Sequence, residues 1–112
     1  MEKPPKKGYI KNPKFLYDRI IMDEWEVLYH CHYNMQQKKE WQINTIYEKK
    51  GLDPQKYHAS HIAGILAWPE KKVQKIIDGL IKKKMITPKR LFPTSYGMRV
   101  ESSFERKYDA GY

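Results

Sequence analysis

The 112-residue sequence predicts a mainly α fold built as one domain. Two observations carry that expectation. Apolar residues recur at i, i+3, i+4 and i+7 in separate segments, the spacing that lines one face of an α-helix. Between those segments stand boundary residues: Asn12-Pro13, Gly51, Pro54, Pro69 and Thr94. Prolines and glycines there stop or start helices. The length suits a single core and not two.

The elements follow in order. Residues 1–11, MEKPPKKGYIK, are rich in Lys and Pro and hold almost nothing to bury. They read as a flexible basic arm, with residues 12–112 forming the folded domain. Asn12-Pro13 pairs an N-cap residue with a proline at the first helical position, so a short helix over Phe15, Leu16 and Ile20 is expected. Asp23 reads as a second N-cap, ahead of a stripe of Trp25, Leu28, Tyr29 and His32. Ile43, Ile46 and Tyr47 mark a further helical pattern over residues 41–50, stopping at Gly51. Whether residues 23–50 form one helix or two stays open.

Leu52-Asp53-Pro54 reads as a turn. Ser60 then caps a short helix carrying Ile62, Ala63, Ile65 and Leu66. Pro69 cannot continue that helix, because its ring clashes with the carbonyl four residues back, but it can open the next. There Val73, Ile76, Ile77, Leu80 and Ile81 keep helical register, and Lys71, Lys72, Gln74, Lys75 and Asp78 take the opposite face. Thr94 is the last expected N-cap. Beyond it Tyr96, Val100, Phe104 and Tyr108 repeat every four residues, a narrow stripe suited either to a homodimer seam or to the chain's own first helix.

Charge narrows the partners. The net charge is +9, and residues 69–90 hold eight basic groups against Glu70 and Asp78, a local balance of +6. A concentrated positive field favours polyanions, since each phosphate neutralised releases a condensed counterion. A solvated helix face is the plain reading of such a run taken alone.

Several classes are disfavoured. No apolar run approaches the roughly 20 residues that span a bilayer, and no apolar segment follows the N-terminal charges as in a secretory signal. A single cysteine, Cys31, allows no internal disulfide and fits a reducing compartment. The chain therefore reads as cytoplasmic. His30-Cys31-His32 and the pair His58 and His61 are metal-capable types, but no CxxC or HExxH accompanies them, so they read as surface or capping residues. No phosphate loop, nucleophile elbow or carboxylate pair is present, and neither an enzyme nor a cofactor is expected.

The run Ile62-Ala63, Leu66-Ala67-Trp68, Val73, Ile76-Ile77, Leu80, Met85-Ile86 resembles the winged helix-turn-helix DNA-binding family. Pro93-Thr94-Ser95-Tyr96-Gly97 is similar to the element that closes the wing in MarR- and PadR-like regulators. The resemblance covers residues 58–100 and implies an α+β fold, mainly α with a small β-hairpin wing. It makes the helix over residues 69–84 the recognition helix and Thr87-Pro88-Lys89-Arg90 the wing tip.

From this comes the expected function: sequence-specific binding of double-stranded DNA by a transcriptional regulator acting as a homodimer. Lys71 and Gln74 would discriminate bases, with Lys72, Lys75, Asp78 and Ser60 beside them, and Lys89 and Arg90 would meet the backbone. The alternatives are a winged-helix protein-interaction module, or single-strand or RNA binding through the aromatic residues. Two residues depart from the family pattern. Trp68 stands where a small aliphatic is usual, and Lys84 replaces a glycine at a helix end, so it must adopt a left-handed conformation or end the helix differently.

Overall fold

The computed structural model describes residues 15–37, 51, 54–88 and 91–109, with side chains described outside 34–37 and 54–58. The basic arm, the 41–50 pattern, and Lys89 and Arg90 all lie outside the described residues. Among the described residues a 3₁₀ turn (Leu16–Arg19) precedes four helices: α1 (Met22–Gln37), α2 (Pro54–Leu66), α3 (Glu70–Lys82) and α4 (Ser95–Tyr108). The 3₁₀ turn packs on α4, α1 packs on both α3 and α4, and α2 packs on α3. No described helix is long and apolar enough to cross a membrane.

α1 starts two residues earlier than an Asp23 N-cap would place it, at Met22. Its free N-terminal amide at Ile21 is accepted by Glu24 Oε1 at 3.1 Å, so Glu24 supplies the cap and Asp23 lies inside the first turn. Buried Ile20 fixes the entry of the chain. Trp25 and Leu28 are buried as expected, and Val27 and Cys31 join them because α1 is covered from two sides, by α3 and by α4. Burial pushes the Cys31 thiol up to about 12, with the Glu101 charge adding to the effect. Such a thiol forms little thiolate and is a poor nucleophile.

α2 also begins earlier than expected. Pro54 opens it, since proline suits the first turn, and Ser60 sits exposed within the helix instead of capping it. It ends at Ala67, whose φ of 57° is left-handed, with the Trp68 amide donating back to the Ala63 carbonyl at 3.1 Å. Pro69 is the N-cap of α3 and its carbonyl accepts from Lys72 and Val73, so the chain breaks and restarts where the proline stands. Val73, Ile77 and Leu80 are fully buried beneath α3. Trp68 packs partly buried against the same core, at the junction of the two helices.

Lys84 takes the left-handed option, with φ 61°. Its amide donates to the Ile81 carbonyl at 3.0 Å and that of Met85 to the Leu80 carbonyl at 2.9 Å, which satisfies the last carbonyls of α3 in a Schellman motif. Buried Met85 and Leu80 supply the accompanying apolar contact. A residue with a Cβ is strained in this conformation. Lys84→Gly should therefore raise the unfolding free energy by about 1 kcal/mol; urea denaturation checks this, and a loss of stability would contradict it.

The expected β-hairpin wing is absent. Among the described residues there is no strand, only an isolated antiparallel bridge between Ile86 and Pro93. The reason is local and tertiary together. Pro93 has no amide to extend a ladder, and Leu91 adopts φ 57° and is fully buried, which bends the returning arm into the core. Thr87 closes the loop instead: its carbonyl accepts from Leu91, its amide donates to Phe92, and its hydroxyl accepts from the Phe92 amide. The described residues thus form a helical fold in which α2 and α3 meet at a turn, without a β-hairpin wing.

Thr94 is the N-cap of α4, its hydroxyl accepting from Gly97 at 3.0 Å and donating to the Lys84 carbonyl at 2.7 Å. Val100 and Phe104 are fully buried, and Tyr96 and Tyr108 pack partly buried beside them. Phe104 stacks on Trp25 at 6.1 Å and meets Tyr108 at 4.8 Å. The four-residue stripe is therefore spent inside the chain, against α1 and the 3₁₀ turn.

Between α1 and α4 half-buried His32 meets buried Glu101. Glu101 is 4% exposed, and His32 Nδ1 stands 2.8 Å from both its carboxylate oxygens. Burial pushes the Glu101 carboxyl up, His32 opposes this through its hydrogen bond and charge, and the neighbouring Glu105 raises it further. The native state then holds the Glu101 proton more tightly than the unfolded chain. That contribution to stability is present below the ordinary carboxyl value of 4.5 and is lost as pH rises through the raised value. Glu101→Gln, which has no proton to lose and keeps an acceptor for His32, should gain stability relative to the native chain as pH rises above 4.5. Parallel denaturation curves of the two across pH would refute this.

Candidate nucleic-acid interface

The exposed side of α3 is built by its own register. Lys71, Lys75, Asp78 and Lys82 stand at i, i+4, i+7 and i+11 and are all exposed, opposite buried Val73, Ile77 and Leu80. Lys71 to Lys82 spans about 16 Å at 1.5 Å per residue. None of these three lysines forms an ion pair among the described residues. Lys82 is legible in the sequence only as part of the charge run; its i+11 spacing from Lys71 is the signal that places it on this face.

The remaining candidates are arranged differently. Gln74, half-buried, donates its Nε2 to Asp78 Oδ1 at 3.0 Å, so the residue expected to read a base is partly engaged by its neighbour one turn on. Lys72 is not on the outward stripe. Its ammonium lies 3.0 Å from Asp23 Oδ2 on α1 and 4.1 Å above the Trp68 ring. Lys83 is likewise turned toward α1, 2.7 Å from Glu24 Oε2. Ser60 is exposed on α2, and its hydroxyl bonds nothing on α3 among the described residues.

Among the described residues no group of three His, Cys, Asp or Glu could hold a metal ion. Burial lowers the His30 pKa, Glu26 opposing and His61 reinforcing the shift, which favours a neutral ring. No described buried side-chain nitrogen or oxygen lacks a hydrogen-bond partner. Set beside known families, curated proteins and solved structures, the chain matches none.

Proposed function

We propose that the protein binds double-stranded DNA through the outward face of α3, as a transcriptional regulator of the cytoplasm. The observation that carries this reading is the exposed Lys71, Lys75, Lys82 stripe on α3, the second helix of a helix-turn-helix arrangement, with none of the three lysines in an ion pair among the described residues. A helix of this diameter enters a major groove about 12 Å wide. Lysines along it reach phosphates or guanine edges, and Asp78 can accept from a cytosine amine. Without a wing, backbone affinity falls to α3 and the segments beside it.

Duplex is favoured over single-stranded nucleic acid because the described aromatic residues are largely committed to packing, Trp25 and Phe104 foremost. A two-fold dimer reading paired half-sites needs a face other than the α4 stripe, and sedimentation on a paired site measures whether one forms. A salt-titrated binding assay on random duplex DNA tests the reading. The expected result is affinity that falls linearly, on logarithmic axes, with rising salt. A protein-interaction module would show no affinity even at low salt.

A further inference from the structure

Lysines flank α3 on two sides that are held differently. Lys71, Lys75 and Lys82 face outward, whereas Lys72 and Lys83, three turns apart, share the side toward α1. Lys72 Nζ reaches Asp23 Oδ2 at 3.0 Å, and Lys83 Nζ reaches Glu24 Oε2 at 2.7 Å and the Arg19 carbonyl at 3.2 Å. Asp23 and Glu24 are adjacent in the first turn of α1, so that turn crosses α3 between the two lysines and each lysine reaches inward to it. The acids are the more covered partners, with 25% and 15% of their side chains exposed against 43% and 41% for Lys72 and Lys83. Glu24 is further anchored by the Ile21 amide.

We propose that Asp23 and Glu24 serve as internal substitutes for phosphate, holding Lys72 and Lys83 back from DNA and so setting the affinity and salt dependence of the α3 face. The inference rests on the duplex-binding reading. Its physical basis is counterion exchange. A free lysine that meets a phosphate releases a condensed cation, and this release drives binding. A lysine that must first leave a carboxylate trades one anion for another, and the abandoned carboxylate recruits a cation from solution. The two exchanges cancel. An uncovered carboxylate beside the DNA also repels it.

Random duplex DNA and the full chain provide the test. Asp23→Asn with Glu24→Gln removes both charges while keeping side-chain shape and the acceptor for the Ile21 amide. At 0.1 M salt the double variant should bind roughly ten-fold or more tightly, with a logarithmic salt slope steeper by about one to two units. Adding Lys72→Ala and Lys83→Ala should return the slope to that of the native chain. Asp109→Asn is the control for a change in net charge alone: it removes one charge at the left-handed C-cap of α4, where asparagine fits, and should leave the slope unchanged. If the native chain binds and the double variant binds no more tightly, or gains no more than Asp109→Asn, the proposal falls and duplex binding stands. If none of these proteins binds duplex, both fall.

Discussion

Gly97→Ala should destabilise the protein by about 3 kcal/mol, because it forces overpacking where two backbone segments touch. A Cβ built on Gly97 would overlap the Met85 carbonyl oxygen and lie 2.9 Å from the carbonyl carbon. Neither neighbour can rotate away as a side chain would. Met85 is fixed by the Schellman bonds that end α3 and by its carbonyl accepting the Thr94 amide at 2.9 Å. The first turn of α4 would have to lift, and with it the Thr94 hydroxyl that spans Gly97 and the Lys84 carbonyl. Against a typical domain stability of about 5–15 kcal/mol, that loss is large. Gly64 is the internal comparison. It lies within α2 with nothing within 4 Å of a built Cβ, so Gly64→Ala should gain about 0.5–1 kcal/mol from helix propensity. Urea midpoints that moved the same way for both variants would show that α4 does not seat on Met85.

Replacing Lys71, Lys75 and Lys82 together with alanine should reduce affinity for random duplex by roughly several hundred-fold at 0.1 M salt. The logarithmic salt slope should flatten by about 2.7 units, at about 0.9 for each phosphate that is no longer neutralised. Stability should change little, since the three side chains are exposed and make no described ion pair. Loss of affinity in a folded variant therefore separates a binding role from a structural one. A triple variant that kept both the affinity and the slope would end the assignment of α3 as the DNA-contacting helix.

Part of the candidate site is legible from local signals. Pro69 and the spacing of Val73, Ile76, Ile77, Leu80 and Ile81 locate α3 to within a residue or two, because a helix break and a helical stripe both act over a few residues. Thr94 announces α4 for the same reason. The sequence misleads where a residue answers to a distant neighbour. Its place in the chain puts Lys72 beside Lys71 on the exposed side of α3, but its ammonium meets Asp23 across the fold; Lys83 and Glu24 are 59 positions apart. The resemblance to the winged helix-turn-helix family implies a wing, but the left-handed, buried Leu91 leaves a single bridge among the described residues.

Local chemistry is enough to settle the helical class, the break at Pro69, the amphipathic α3 with its outward lysines, and the capped start of α4. Each follows from backbone sterics, capping and 3.6-residue periodicity. Packing between distant segments settles where the Tyr96, Val100, Phe104, Tyr108 stripe is buried, which lysines of α3 are neutralised, and that the segment after α3 closes in a single bridge. These depend on which surfaces meet. An apolar stripe is equally satisfied by any apolar partner, and a lysine by any carboxylate in reach, so only the packing of α1 between α3 and α4 makes the choice.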